Sequence, residues 1–336
     1  MKIGINGFGR IGRMILRAFL ESEKYSSLDV ACINDLSDKK TCAYLLKYDS
    51  IHGRLNADVL ETDDGISVNG RNIVMPSKAK PEEIRWGDYG IDVVFECSGV
   101  FTKKPDAERH INAGAKKVII SAPSDDADIT VVYGINHIDL NASHTVISNA
   151  SCTTNCLAPI AYILDREFGI ESGFMTTIHA YTGDQRLIDT AHRDLRRARA
   201  GTLSIIPSTT GAARAVGLVL PNLRGKLDGT AIRVPVPNVS LVDLKCLLSK
   251  SISKGSINEI VRAEANGKLS GILGYNDEPL VSCDFNHSTL SSVFDATGTT
   301  VIGDRFCRVV AWYDNEFGFS NRMLDLAHYM ATNGIV

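Results

Sequence analysis

The chain has 336 residues, which is long enough for two domains. Hydrophobic residues make up 44% and charged residues 22%, as in an ordinary globular protein. The net charge of −3 gives no basic field that would draw the chain to nucleic acid or to a membrane surface. No apolar run is long enough to span a bilayer, and the amino terminus lacks a signal-peptide pattern. We therefore expect a cytoplasmic protein with reduced cysteines, in which any anion site is built locally from a few arginines and backbone amides.

The first half of the chain alternates short apolar runs with helical patterns. The predicted strands cover residues 2–6, 29–34, 91–97 and 117–121. The predicted helices cover residues 10–20, 39–48 and 106–113. This alternation predicts the α/β class, with a parallel sheet and helices on both of its faces.

The first turn of this pattern is rich in glycine. Gly7-Phe8-Gly9-Arg10-Ile11-Gly12 follows a predicted strand and opens a predicted helix, where glycines allow a tight turn, a close approach to a pyrophosphate, and close packing of helix on strand. Asp35 lies about twenty residues further on, where a ribose-binding carboxylate is expected. The alternative is a glycine-rich turn without a ligand and a surface aspartate, but the full context favours a dinucleotide site.

Near residue 150 the pattern changes to longer extended segments. A helix is predicted at 158–168, strands at 174–179, 229–235, 239–248 and 306–313, and a last amphipathic helix at 321–330. These elements predict an α+β domain with a mixed or antiparallel sheet that is covered on one face. Between them, residues 182–207 carry five arginines and little apolar periodicity, which predicts a long ordered loop with a functional or subunit-contact role.

Cys152 is the candidate nucleophile. It lies in the segment Ser148-Asn149-Ala150-Ser151-Cys152-Thr153-Thr154 at the start of a helical region, where the positive end of a helix dipole favours a thiolate and the neighbouring hydroxyls can bind an anion. The alternative is a small buried hydrophobe, the usual role of cysteine. Cys156, one turn further on, has no further metal ligands at matching spacing and is expected in the core.

His179 ends a predicted apolar strand and is the candidate partner of Cys152. An imidazole beside the thiol would activate it and later move a proton. A histidine that only caps the strand remains the alternative, because spacing does not separate the two.

Seven segments together resemble the glyceraldehyde-3-phosphate dehydrogenase family over almost the whole chain: NGFGRIGR, LLKYDSIHG, SNASCTTNCLAP, HAYTGDQ, DLRRARAGTLSIIPSTTGAA, RVPVPNVS and WYDNEFGFSNR. The resemblance implies a Rossmann NAD-binding domain at 1–150, completed by a C-terminal helix at 316–336, and an α+β catalytic domain at 151–315. It further implies a homotetramer that acts in glycolysis or gluconeogenesis. The implied reaction is the phosphorylating oxidation of glyceraldehyde 3-phosphate to 1,3-bisphosphoglycerate by NAD, through a thiohemiacetal and a thioester on Cys152, with inorganic phosphate as second substrate.

The family motifs also imply the residues of the site. Cys152 and His179 are the catalytic pair. The positions that match the substrate phosphate and inorganic phosphate sites are Ser151, Thr153, Thr182, Arg197, Thr210, Gly211 and Arg233. The positions that match cofactor contacts, besides the three glycines, are Arg10, Ile11, Asp35, Ala79, Ser121 and Asn315. Asn315 is expected to hold the nicotinamide amide. The family usually has an arginine before an Asp-Pro pair near the adenine, where this chain has Ala79, but that contact is typically through a backbone carbonyl, which Ala79 is expected to supply.

Two other functions are open at this point. Erythrose-4-phosphate dehydrogenase is a close relative with a similar Asp284-Phe285-Asn286-His287 segment, although Ser208-Thr209-Thr210-Gly211 and Thr182-Gly183 fit the glyceraldehyde enzyme better. A binding protein that keeps the fold is disfavoured by the intact Cys152–His179 pair. The cofactor preference is divided: Asp35 favours NAD by charge repulsion, while Thr190-Ala191 replaces a Leu-Pro pair of strictly NAD-specific relatives.

Overall fold

The structure is a computed structural model that describes all residues from 1 to 336. The chain forms two compact units. The first comprises Met1–Tyr133, His137–Ala150 and Ser320–Val336, and the second comprises Gly134–Asn136 and Ser151–Phe319.

The first unit contains eleven strands and three helices in its amino-terminal part. The strands are β1 (Lys2–Asn6), β2 (Asp29–Asn34), β3 (Tyr48–Asp49), β4 (Gly53–Arg54), β5 (Val59–Glu61), β6 (Gly65–Val68), β7 (Arg71–Val74), β8 (Val93–Glu96), β9 (Lys117–Ile120), β10 (Ile129–Thr130) and β11 (Val146–Ser148). The helices are α1 (Arg10–Leu20), α2 (Lys39–Lys47) and α3 (Lys104–Asn112). β3 and β4 form a small hairpin of their own, apart from the main sheet.

The main sheet of this unit has nine strands in the order β10-β11-β9-β8-β1-β2-β7-β6-β5. All pairs from β10 to β7 are parallel, and the pairs β7–β6 and β6–β5 are antiparallel. The chain leaves β1 on one side for β2 and later returns to its other side with β8. Ligands of open α/β sheets bind where the strand order reverses in this way, beyond the carboxyl ends of the strands. The predicted parallel α/β sheet is confirmed.

The second unit contains seven strands and three helices. The helices are α4 (Cys152–Phe168), α5 (Ala212–Val219) and α6 (Lys254–Ala265). The strands are β12 (Ile170–Ala180), β13 (Ile206–Thr209), β14 (Leu227–Val234), β15 (Ser240–Leu248), β16 (Leu273–Asn276), β17 (Ser292–Ile302) and β18 (Phe306–Tyr313). They form one sheet in the order β13-β14-β12-β15-β18-β17-β16, with β12–β14 and β16–β17 parallel and the other pairs antiparallel. The predicted mixed sheet is confirmed.

Only one face of this second sheet is packed into a core. Along β15, buried residues such as Val242 and Leu244 alternate with half-buried ones such as Leu241. The buried face packs in the same core cluster as Leu157 and Ile160 of α4. The alternation is the burial pattern of an antiparallel sheet with one covered face, as the sequence predicts.

A final helix, α7 (Phe317–Thr332), ends the chain, and its residues from Ser320 belong to the first unit. No helix of the structure is both long enough and apolar enough to cross a membrane. No group of three or more histidine, cysteine or acidic side chains is arranged to hold a metal ion.

Candidate active site

The glycine-rich turn after β1 adopts the geometry that its sequence requires. Gly7 has a φ of +93°, and a Cβ there would lie 2.6 Å from the backbone nitrogen of Ser98. A Cβ on Gly12 would collide with the carbonyl oxygen of Gly7, so both positions are restricted to glycine. A Cβ on Gly9 would meet no atom within 4 Å, so the backbone there is open to a ligand.

This turn borders a cavity of 390 Å³ in the first unit. The cavity is lined by Gly7, Gly9, Asp35 and Ala79, all of which the sequence predicts as cofactor contacts. Open glycine backbone at the start of α1 fits a pyrophosphate, because free N–H groups and the helix dipole face an anion there. The residues present therefore fit a dinucleotide.

The cofactor candidates around this cavity already hold defined partners. The Asp35 carboxylate accepts hydrogen bonds from the Phe8 amide at 2.6 Å and the Ser37 amide at 2.8 Å. The Arg10 guanidinium pairs with Asp49. The cofactor contact expected from Arg10 would therefore come from its backbone in the turn. Burial alone would raise the pKa of Asp49, but hydrogen bonds from Arg10 and two backbone amides hold it well below its usual range.

Ile11 and Ser121 complete the candidates of the first unit. Ile11 lies in the first turn of α1. Ser121 directly follows β9, and its hydroxyl donates a 2.9 Å hydrogen bond to the carbonyl oxygen of Glu96 at the end of β8. The cavity is also lined by residues that the sequence analysis missed: Asn6, Asn34, Leu36, Lys78, Cys97, Ser98, Val100 and Phe101. Several of them could have been predicted as lining residues, because they lie at the ends of strands next to the glycine-rich turn.

Cys152 is the first residue of α4, in the second unit. Ser151 is the N-cap, and its Oγ accepts a 3.0 Å hydrogen bond from the Thr154 amide. Ala150, just before the cap, has a φ of +56°, a strained value for a residue other than glycine. Burial raises the pKa of the Cys152 thiol, while the nearby charge of Arg233 acts to lower it.

The structure brings His179 next to Cys152. The Nε2 atom of His179 lies 3.6 Å from the Cys152 Sγ, within hydrogen-bonding distance for sulfur. On the other side of the ring, Nδ1 lies 2.7 Å from the Ala180 carbonyl oxygen and 2.7 Å from Nη1 of Arg233. Burial and the charge of Arg233 lower the pKa of His179 to about 3. Both pKa shifts favour the neutral thiol and the neutral imidazole, so a proton transfer from Cys152 to His179 would create two charges in contact.

Tyr313 joins this group, although the sequence analysis did not single it out. Its hydroxyl hydrogen-bonds with Oγ1 of Thr153 at 2.8 Å and with Oγ1 of Thr177 at 2.9 Å. Its ring stands edge-on to that of His179, with centroids 5.9 Å apart. The position lies in the WYDNE segment, which carries the resemblance and could have indicated it.

A second set of candidates gathers at the amino terminus of α5. Gly211 is the N-cap of α5, and the Thr210 hydroxyl accepts a 3.1 Å hydrogen bond from the Ala212 amide. Arg197 reaches the preceding strand through a 2.8 Å hydrogen bond to Ser208. Thr154 of α4 donates to the Ala212 carbonyl oxygen at 3.2 Å, which joins this group to the helix of Cys152. Arginine side chains and the backbone N–H groups at the start of a helix can both donate hydrogen bonds to anions.

Two further candidates lie elsewhere in the second unit. Thr182 lines a separate cavity of 210 Å³ in the long loop, together with Gln185. Asn315, just after β18, is buried, and its Oδ1 accepts a 2.8 Å hydrogen bond from Ser240. Ser240 and Asp184 were not singled out, although they lie in the RVPVPNVS and HAYTGDQ segments that carry the resemblance. Asp184 forms a 2.6 Å ion pair with Arg197.

These features define an α/β protein with a dinucleotide-binding unit and a cysteine–histidine pair beside clustered arginines. Residues 1–104 match the family model described as glyceraldehyde 3-phosphate dehydrogenase, NAD binding domain, and residues 151–315 match its C-terminal domain. The chain belongs to the glyceraldehyde-3-phosphate dehydrogenase family.

Curated relatives agree over the full length. The chain is 54% identical to glyceraldehyde-3-phosphate dehydrogenase of Geobacillus stearothermophilus, with 100% of this chain and 99% of that protein covered. It is 55% identical to glyceraldehyde-3-phosphate dehydrogenase 1 of Bacillus cereus, and 53% identical to the Xanthobacter flavus protein of the same family name, with 99% of both chains covered in each case.

Proposed function

We propose that this chain oxidises glyceraldehyde 3-phosphate to 1,3-bisphosphoglycerate with NAD and inorganic phosphate. The observation that carries the proposal is the contact between the Cys152 Sγ and the His179 Nε2 at 3.6 Å, with Arg233 on the far side of the imidazole. A nucleophile, a proton acceptor and an anion-binding guanidinium thus occupy one place, as acyl transfer to phosphate requires.

The first half of the reaction forms a thioester. His179 takes the Cys152 proton, the thiolate adds to the aldehyde carbon, and the protonated His179 returns the proton to the new oxyanion to give a thiohemiacetal. The start of α4 and the charge of Arg233 stabilise the thiolate. His179 then removes the hydroxyl proton as hydride leaves the same carbon, which is oxidised to a thioester. NAD, when bound, accepts that hydride.

The second half transfers the acyl group. An oxygen of inorganic phosphate attacks the thioester carbon, the carbon–sulfur bond breaks, and the acyl phosphate leaves with Cys152 restored as thiolate. Two anions must be held, the substrate phosphate and the attacking phosphate. The two arginines, Arg233 beside His179 and Arg197 near the start of α5, supply separate donors for them. We propose that Ser151, Thr153, Thr182, Thr210 and Gly211 complete these sites.

The cofactor half of the proposal rests on the first unit. The open backbone at Gly9 and the first turn of α1 would hold the pyrophosphate, and Asp35 the adenine ribose. Arg10, Ile11 and Ser121 would add contacts near the turn, and Ala79 its carbonyl. Asn315 would hold the nicotinamide carboxamide.

A single assay tests the reaction and its closest rival. Purified protein with NAD should produce NADH from glyceraldehyde 3-phosphate only when inorganic phosphate is present. Erythrose 4-phosphate should be a poor substrate in the same assay. Cys152→Ser should abolish the activity, while Cys283→Ser, at an exposed cysteine, should leave it unchanged. Activity in Cys152→Ser comparable to wild type, or a preference for erythrose 4-phosphate, would contradict the proposal.

We also propose a homotetramer. Five large apolar side chains of the long loop are at least 70% exposed in the single chain: Leu187, Ile188, Leu195, Leu203 and Ile205. The uncovered face of the second sheet exposes Phe174 and Phe306 as well. Exposed apolar patches of this kind mark interfaces between proteins.

The remaining assignments are proposals of the same kind. Residues 1–150 with 316–336 would form the NAD-binding domain, and 151–315 the catalytic domain. The family-model matches at 1–104 and 151–315 fall within these two ranges. A cytoplasmic location would be tested by cell fractionation.

A further inference from the structure

Ser240 begins β15 directly after a strained residue. Val239 has a φ of +67°, which a β-branched side chain rarely adopts. It is buried in a small apolar cluster with Phe285 and Val293, and this packing holds the unusual backbone. Strained backbone that the surrounding structure maintains is often found at functional sites. The strained backbone at Val239 determines where the Ser240 side chain lies relative to its neighbours.

The Ser240 hydroxyl connects the strand of the candidate base to Asn315. The Ala180 backbone N–H donates to the Ser240 Oγ at 3.1 Å, and Ala180 follows His179 at the end of β12. The same Oγ donates to the Asn315 Oδ1 at 2.8 Å. All of these residues lie in the second unit, and Ser240 itself is 1% exposed.

The number of available hydrogens fixes the orientation of the Asn315 amide. A backbone N–H only donates, so the Ser240 Oγ accepts from Ala180, and its single hydrogen must find another acceptor. If the Asn315 amino group faced Ser240 instead, the buried hydroxyl hydrogen would lose that acceptor, at a cost in free energy. The Asn315 oxygen therefore faces Ser240, and both N–H donors of Nδ2 are left for other acceptors.

We propose that Ser240 is a positioning residue that holds the Asn315 amide as a donor toward the carbonyl oxygen of the nicotinamide carboxamide. The inference rests on the proposed function, in which Asn315 contacts that group. When the carboxamide is held in a single orientation, only one face of the nicotinamide ring is turned toward the thiohemiacetal. Ser240 thus controls cofactor recognition and the stereochemistry of hydride transfer without touching the cofactor.

The test compares binding of NAD with that of the analogue in which an acetyl group replaces the carboxamide. Both offer a carbonyl oxygen to the Asn315 Nδ2, but the acetyl group has no N–H to donate to a flipped amide. In Ser240→Ala the amide is free to flip, so calorimetry should show the Kd of the analogue rising about threefold or more relative to that of NAD. Ser172→Ala, at an exposed serine of β12, should leave the ratio of the two Kd values unchanged.

A second readout is the stereochemistry of hydride transfer, which is followed with a deuterium label on the cofactor. With NAD deuterated at the nicotinamide C4, the wild type should place hydrogen on one face only, and Ser240→Ala should give a measurable fraction on the other. If Ser240→Ala does not fold, Ser240→Cys keeps the side-chain size with a weaker hydrogen bond and should change both readouts in the same direction. An unchanged Kd ratio together with intact stereospecificity in a folded variant would overturn the inference. Lack of phosphate-dependent oxidation by the wild type would instead overturn the proposed function.

Discussion

At the scale of single residues, Arg233 should affect anion binding more than any surface arginine. Its Nη1 contacts the His179 Nδ1 and donates to the Ala180 carbonyl oxygen at 2.9 Å, while its buried Nε has no hydrogen-bond partner in the single chain. A hydrogen bond to a charged group contributes about 1.5–3 kcal/mol. Arg233→Ala should therefore raise the KM of glyceraldehyde 3-phosphate or of phosphate about tenfold or more.

The matched control for this prediction is Arg214→Ala. Arg214 is well exposed and pairs with Asp228 at 2.8 Å on the surface, where ion pairs contribute little. Steady-state kinetics with each substrate varied in turn should separate the two variants. Unchanged KM values for both substrates in Arg233→Ala would remove Arg233 from the anion sites.

Asp35 should set the preference for NAD over NADP. A 2′-phosphate near this carboxylate would place like charges about 4–5 Å apart, a repulsion of about 3–4 kcal/mol per unit charge at an effective dielectric near 20. Salt and relaxation reduce it, but a tenfold preference requires only about 1.4 kcal/mol. The resemblance implies that small residues at Thr190-Ala191 would leave room for a phosphate, so we expect some activity with NADP.

The ratio of kcat/KM for the two cofactors tests this preference. Asp35→Gly should narrow it, because it removes the charge and frees the amides of Phe8 and Ser37, which now donate to the carboxylate. Asp38→Asn, which removes a nearby charge but can still cap α2, should have a smaller effect. A wild type that prefers NADP, or an unchanged ratio in Asp35→Gly, would refute the ribose assignment.

The motifs indicated that Cys152 and His179 lie together, but they did not indicate the environment of the two side chains. Cys152 and His179 were found from a helix start and a strand end, and they are in contact. The helix start also predicts a favoured thiolate, whereas burial raises the pKa of Cys152 in the structure. Burial of a side chain depends on the packing of elements far apart in sequence, which one segment does not reveal. Tyr313 and Ser240 lie in segments that carry the resemblance, but their contacts with His179 and Asn315 depend on the same long-range packing.

At the scale of elements, the cap of α4 should matter for both stability and thiol reactivity. Loss of an N-cap side chain costs about 0.5–2 kcal/mol. Ser151→Ala should lower the free energy of unfolding by about 1 kcal/mol. It should also slow alkylation of Cys152 by iodoacetamide at neutral pH, because a frayed first turn weakens the dipole at the sulfur.

Ser253→Ala provides the control, because Ser253 caps α6 through a hydrogen bond from the Ser256 amide. It should lower the stability by a similar amount and leave the alkylation rate of Cys152 unchanged. Denaturant titration and peptide mass spectrometry measure the two effects. Equal alkylation rates in both variants and the wild type would show that the cap does not influence the nucleophile.

The elements themselves were predicted unevenly. β1, α1, β2 and β18 were predicted with their observed bounds, because clean periodicity is bounded by turn residues. α4 begins at Cys152 rather than at the predicted 158, since Thr153, Thr154 and the internal Pro159 are poor helix residues that burial overrides. β17 was missed because its register is interrupted between Asp295 and Thr300, around Gly298. The short strands β5, β6 and β7 and the helices α5 and α6 were also missed.

At the scale of the whole molecule, the uncovered sheet face of the second unit bears on assembly. Leu241 lies near the start of β15, the middle strand of this sheet, opposite Ile178 on β12 and Trp312 on β18. All three are half-buried in the single chain, on strands whose alternate residues fill the core. These three side chains form an apolar patch, beside the charged Asp243, Lys245 and Arg308 of the same strands. Exposed apolar patches of this kind mark interfaces between proteins.

Leu241→Glu should therefore disrupt the proposed tetramer. A carboxylate at this position would have apolar neighbours on both sides, and its burial in a subunit interface without a partner would cost several kcal/mol. Light scattering after gel filtration should show a tetramer for the wild type at micromolar concentration and a smaller species for the variant. Leu218→Glu, at a half-exposed leucine of α5, should remain a tetramer. A monomeric, fully active wild type would refute the tetramer. A tetrameric Leu241→Glu would place the interface elsewhere, with the exposed leucines of the long loop as the next surface to test.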